Sequence, residues 1–199
     1  MSFKSNLGGI RAWGRQLVLP VEKIKAMLKM EIFDKYQVDR VIDFGAGTLY
    51  WSNWFQEMIR PENIYPVDII FQTRMPDTSL QCLSTIDDIP PHGQDATFFF
   101  TCDVLHHLSE EEWKGIAKKV YQDCDYVVIK DIGCHFRFKN WMNRMHDRII
   151  NGEKIRDIDP DVLLAELYEH GYQCIYQDIH KLWYPHFIII ASRAERPRT

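Results

Sequence analysis

Three groups of residues have the types and spacing to do chemistry. His106 and His107 stand side by side in TCDVLHHLSEEEW, and a histidine removes a proton near neutral pH with little tuning. Asp131 follows the apolar run CDYVVIK, where it can orient such a base or contact a substrate. The third group is VIDFGAGTLYW, residues 41–51. There an apolar run ends in Asp43 and turns through Gly45, Ala46 and Gly47, so a ligand can approach the backbone without meeting a Cβ. Asp68 closes the next apolar run, in position to accept hydrogen bonds from two ribose hydroxyls. Each group also has a plainer reading. A glycine turn can simply join strand to helix, histidines at a helix start can cap it, and a loop acid can be merely solvated.

The glycine loop narrows the ligand. A dinucleotide fingerprint needs a small residue at its sixth position, close to the pyrophosphate. Counted from Gly45, that position is Tyr50, so the loop suits a nucleoside without a pyrophosphate. S-Adenosylmethionine meets that description.

The elements that must hold these residues follow from hydrophobic period. Short apolar runs alternate with helix-period segments, the mark of an α/β protein with a mostly parallel sheet. Strands are read at 40–44, 63–68, 79–84, 95–101, 124–130, 173–179 and 186–192. A first helix starts near Pro20 with Ile24, Met27, Leu28 and Phe33 on one face. A second carries a capping box, Ser109 with Glu112, and a third has Asp159 as cap, Pro160 in its first turn and Gly171 as its stop. Ligands of such folds sit at the carboxyl ends of the strands. Those of the fourth and fifth strands hold Thr101, Cys102, Asp103, His106, His107, Lys130 and Asp131. Residues 131–157 read as an insertion with one amphipathic helix, built on Phe138, Trp141, Met145 and Ile149. Residues 1–19 read as an arm or lid.

Composition limits the class. The 199 residues suffice for one domain with a sizeable core, and 46% hydrophobic with 26% charged residues is ordinary for a globular chain. No apolar stretch reaches the roughly 20 residues that span a bilayer. Cysteines 82, 102, 124, 134 and 174 contain no CxxC pair, so a reducing cytoplasm is expected. A net charge of −4 offers no general attraction for nucleic acid. No acidic cluster or zinc-ligand spacing enforces a metal site. Homo-oligomerisation is compatible with all of this.

The string VIDFGAGT resembles the first motif of the class I S-adenosylmethionine-dependent methyltransferases, an acid followed by G-x-G-x-G. TCDVLHHLSEEEW resembles the fourth-strand motif of the family's small-molecule members, and HGYQCIYQDIH with HFIIIASR resembles its closing strand pair. The resemblance spans roughly residues 36–131 and 159–192. It implies a single domain, 1–199, with a Rossmann-like sheet of seven strands, mostly parallel with the last antiparallel, and helices on both faces. It implies S-adenosylmethionine held by Asp43, Gly45, Ala46, Gly47 and Thr48, by Asp68 and Ile69, and by Thr101 and Cys102. Two positions depart from the pattern. Leu49 replaces the third glycine. Thr85 stands where an acid often contacts adenine, leaving Thr85, the Ile86 backbone or Asp87 and Asp88 for that role. The implied activity is methyl transfer to a small molecule, with a hydroxyl acceptor preferred because histidine bases are at hand. The match to L-H-H-L favours His107 over His106, with Asp131 in support. The rival readings are an RNA or protein methyltransferase, and a non-catalytic subunit that binds the cofactor.

Overall fold

The computed structural model describes residues 20–91, 93, 95–133, 156–181 and 184–193. The proposed arm (1–19), most of the insertion including its helix, and Cys134 lie outside the described residues. Six strands form one sheet: β1 (Arg40–Phe44), β2 (Ile64–Val67), β3 (Thr97–Cys102), β4 (Tyr126–Ile132), β5 (Tyr172–Lys181) and β6 (Tyr184–Arg193). Their spatial order is β2-β1-β3-β4-β6-β5. The first four run parallel, and β6 lies antiparallel between β4 and β5. The antiparallel last strand expected from the sequence is therefore present.

Among the described residues the sheet has six strands where seven were expected, because residues 79–84 do not form one. Only Leu83 makes a parallel rung, with Val67, through Leu83 N–H to the Pro66 carbonyl at 2.8 Å and Asp68 N–H to the Leu83 carbonyl at 3.0 Å. On either side, side chains claim the backbone. Thr78 Oγ1 accepts from Leu80 N–H at 3.2 Å, and Thr85 Oγ1 accepts from Asp87 N–H at 3.3 Å, starting a turn. Threonine hydroxyls thus offer the chain local partners in place of a ladder.

Period-2 alternation sends the central strands' side chains to two cores. Ile42, Phe99, Val127, Ile129 and Ile189 pack with α3 (Glu110–Asp123) and α4 (Pro160–Glu169). Val41, Phe98, Phe100, Val128 and Ile188 pack with α1 (Val21–Leu28, continued by a π turn to Phe33) and α2 (Tyr50–Phe55). Helices cover both faces as expected. The caps read from the sequence are also in place. Ser109 and Glu112 form the reciprocal capping box of α3, and Asp159 accepts from Asp161 N–H at the start of α4.

These elements carry unequal shares of stability. Phe99 is fully buried on the central strand, stacked on Phe44 at 5.8 Å, so Phe99→Ala should cost about 3–5 kcal/mol. Ser109→Ala, losing one exposed cap, should cost about 1 kcal/mol. Urea unfolding of both variants checks the ranking, and equal losses would contradict it.

Candidate functional site

β1 delivers the chain into the glycine loop. Gly45 and Ala46 donate to the Val67 carbonyl at 2.8 and 3.2 Å, tying the loop to the end of β2. Gly45 has φ +76°, and a Cβ there would lie 2.2 Å from a Val104 methyl. The loop thus rests on the segment after β3, and only glycine allows that approach. Gly47 (φ +48°) is exposed and donates to Asp68 Oδ2 at 2.8 Å. Thr48 beside it is exposed too. Leu49, at the third-glycine position, keeps a left-handed backbone (φ 61°) and buries its side chain against Ala46 and Phe71. That conformation costs about 1–2 kcal/mol, which burial of about 1.5–3 kcal/mol offsets. The loop therefore has the backbone course a glycine would give it. Tyr50 opens α2 half-exposed, its ring 5.2 Å from Lys25 Nζ on α1.

Asp43 lies beneath the loop, buried, and accepts from Ser52 Oγ at 2.5 Å. Burial pushes its carboxyl up to about 7 against the pull of the Ser52 hydrogen bonds. Asp68 accepts from Gly47 N–H and, through Oδ1, from Ile70 N–H at 3.0 Å. A carboxylate oxygen can accept two bonds, so each keeps capacity for another donor. Ile69 next to it is 75% exposed, an apolar surface at the rim of this loop pair. Thr85 and Ile86 follow the Leu83 rung, beside Asp68. Thr85 caps its own turn, and the Ile86 carbonyl accepts from Lys119 Nζ at 2.8 Å.

On the other side of the crevice, β3 ends in Thr101 and Cys102. Thr101 is fully buried, its hydroxyl unpartnered among the described residues. Cys102 is half-buried, its thiol aimed at Asp103 Oδ2 at 3.8 Å, and burial holds the thiol well above its usual range. Leu105–His107 form a 3-10 turn before α3. His106 is buried and His107 exposed, their rings 4.0 Å apart. His106 Nδ1 meets Asp131 Oδ1 at 2.5 Å. Asp131, fully buried, also accepts from Leu105 N–H at 2.8 Å and Ile132 N–H at 2.7 Å. Burial opposes a charge on His106, but the charge and hydrogen bond of Asp131 outweigh it and raise the imidazole above its ordinary value.

The glycine loop, Asp68, Ile69, Thr85 and Ile86 thus gather at the ends of β1 and β2. Thr101, Cys102, His106, His107 and Asp131 gather at the ends of β3 and β4, and the Gly45–Val104 contact joins the two groups. The resemblance favoured His107, yet the fold leaves His107 exposed and pairs His106 with Asp131. Two contributors were not singled out from the sequence, Ser52 under Asp43 and His186, whereas Lys130 was read at the end of its strand. Lys130 carried a signal, since a lone lysine at the end of an apolar strand run is drawn into the sheet with it. Among the described residues, no three His, Cys, Asp or Glu side chains group as metal ligands, and no helix is long and apolar enough to cross a membrane.

No protein-family model matches the chain, and no curated protein matches it. Solved structures do. A SAM-dependent methyltransferase from Archaeoglobus fulgidus superposes with a TM-score of 0.66 at 16% identity, over 92% of this chain and 99% of that one. Magnesium protoporphyrin IX methyltransferase from Synechocystis PCC 6803, with bound S-adenosylhomocysteine, gives 0.64 at 15% identity over 98% and 89%. The YcgJ protein of Bacillus subtilis gives 0.60 at 14% identity over 84% and 97%. The chain therefore has the fold of the class I S-adenosylmethionine-dependent methyltransferases. A Cβ on Gly47 would meet Gly45 O at 3.9 Å and Asp68 Oδ2 at 4.0 Å, ordinary contacts, so the positive φ is what favours glycine there.

Asp43 supplies a test of this geometry. Between its ordinary value near 3.8 and about 7, the folded chain holds a proton that the unfolded chain has released. The group's contribution is therefore full below about pH 4 and is lost as pH rises through about 7. Asp43→Asn has no such proton, so its stability relative to wild type should improve between pH 5 and pH 8. A difference that stays constant in urea melts would show Asp43 titrating normally.

Proposed function

We propose that the chain binds S-adenosylmethionine in this crevice and transfers its methyl group to a hydroxyl of a small molecule, with His106 as the base. The observation that carries the reading is the His106–Asp131 pair at the ends of β3 and β4, across the crevice from the glycine loop and Asp68. The cofactor supplies a methyl group already activated by its sulfonium charge, so the protein's work is positioning, desolvation and proton handling. In this reading Gly45, Ala46, Gly47 and Thr48 present backbone to the ligand over buried Asp43. Asp68 takes the ribose hydroxyls, and Ile69, Thr85 and Ile86 border the adenine. Thr101 and Cys102 form the floor.

His106 donates its Nδ1 proton to Asp131 and leaves Nε2 to receive the acceptor's proton. A neutral amine acceptor would not need this pair, and that is why a hydroxyl is preferred. The exposed His107 would then meet the acceptor rather than deprotonate it. The net charge of −4 argues against an RNA acceptor. A non-catalytic cofactor-binding subunit rested on Leu49 and Thr85. Leu49 keeps the loop's course, which weakens it.

Asp68→Ala should lower affinity for S-adenosylhomocysteine by about 30-fold or more, the loss of two charge-assisted hydrogen bonds with incomplete additivity. Calorimetry reads this directly, and near-normal affinity in a folded variant would remove Asp68 from the site. His106→Ala should bind the same ligand normally yet lose about 10²–10⁴ in methyl transfer across a panel of small alcohols and phenols. His107→Ala should lose much less. Turnover should rise with pH through a midpoint above 6.5, because the raised imidazole must first shed its proton. Equal small losses in both variants would return the histidines to a structural role.

A further inference from the structure

A second cavity, of about 450 Å³, opens toward the amino ends of the strands. Arg40 and Ile42 of β1 form its floor, α3 one wall and the segment from Ile86 to Gly93 the other. Arg40 stands four residues before Phe44, so roughly 13 Å of strand, at about 3.3 Å per residue, separates it from the glycine loop. The volume falls in the range of about 300–1,000 Å³ that small-molecule sites occupy.

Strand alternation turns Arg40 to the same face as Ile42, and so carries a cation beneath α3. The residue is only 4% exposed. Its Nη2 donates to the Pro90 carbonyl at 2.9 Å, and its guanidinium lies 4.8 Å from the Tyr65 ring centre. A guanidinium has five N–H donors, and Arg40 has neither a second acceptor nor a carboxylate partner among the described residues. A charge so withdrawn from water is costly unless paired. Lys119, on the α3 wall, is already engaged. Its Nζ donates to the Ile86 carbonyl at 2.8 Å and stands 3.5 Å from Asp87 Oδ1.

The lining thus holds two cations, Arg40 and Lys119, and two acids, Asp87 and Asp123. Asp87 is 82% exposed and marks the rim, while Ile42, Ile86 and Ile89 give the interior an apolar surface. With Lys119 answered by Asp87, Arg40 is the cation that a ligand must answer. We propose that this cleft binds a small organic acid, its carboxylate paired with Arg40 and its apolar body resting on Ile42, Ile86 and Ile89. A guanidinium edge receives a carboxylate through two parallel hydrogen bonds. A doubly charged phosphate suits the cleft less, because Asp87 and Asp123 oppose the second charge. The site is separate from the proposed methyl transfer, and neither inference needs the other.

Amide NMR of the full-length protein, titrated with 2-naphthoate, tests the site. The expected result is saturable shifts at Ile89, Thr97 and Val120, with Gly45–Thr48 unmoved. The neutral 2-naphthylmethanol, which keeps the ring and lacks the charge, should bind about tenfold more weakly or worse, the loss of charge-assisted hydrogen bonds. Arg40→Gln should weaken 2-naphthoate by a similar factor, and inorganic phosphate should bind more weakly than 2-naphthoate. Alcohol and acid binding equally well would overturn the pairing with Arg40, and that comparison decides it in the wild-type protein if Arg40→Gln does not fold. Phosphate binding as tightly as 2-naphthoate would overturn the choice of an organic acid. No saturable shift, or shifts at Gly45–Thr48 in place of the cleft, would overturn the site itself.

Discussion

A carboxylate removed from water must be met by donors, and Asp131 shows how much structure that requirement arranges. Buried at the end of β4, it gathers the Leu105 and Ile132 amides and the His106 imidazole. An ionised group in such a place survives only when paired and hydrogen-bonded. Those bonds fix the 3-10 turn after β3, and so choose which of two adjacent histidines faces inward. The same turn begins at Val104, whose methyls fill the space above Gly45. One buried acid thus ties the proposed base, the glycine loop and the middle of the parallel sheet into one arrangement.

The parallel sheet explains why the charges collect there. Its strands are covered on both faces by apolar cores, so polar side chains find room mainly at the strand ends. Asp43 and Thr101 lie near the ends of their strands, as do Lys130 and Asp131, and all four are buried. Asp68 follows directly after β2 and is partly exposed. Burial then separates carboxylates that look alike in the sequence. Asp43, with one hydroxyl partner, is pushed up to about 7, while the Lys130 ammonium overcomes burial to hold Asp103 down at about 2.

Much of this was legible in the residues. Alternating apolar runs gave the sheet and its two covered faces, and the S-x-x-E and D-P signals placed the starts of α3 and α4 where they are found. The glycine loop and Asp68 come together as expected, with Gly47 donating to the carboxylate. The strand at 79–84 failed because period and composition do not reveal threonine hydroxyls capturing neighbouring amides. The resemblance favoured His107, but which histidine faces inward depends on a bond to a residue on another strand, and His106 makes it. Lys130 and His186 meet across the antiparallel pairing of β4 and β6, a long-range register that local pattern does not encode.

The central claim is that the glycine loop and Asp68 hold S-adenosylmethionine with its sulfur turned toward His106. A crystal structure of the protein with S-adenosylhomocysteine tests it most directly. The account predicts the ribose hydroxyls on Asp68, the adenine beside Ile69 and Ile86, and the sulfur facing His106 across the crevice. A ribose bound away from Asp68, or a sulfur facing away from the His106–Asp131 pair, would contradict it.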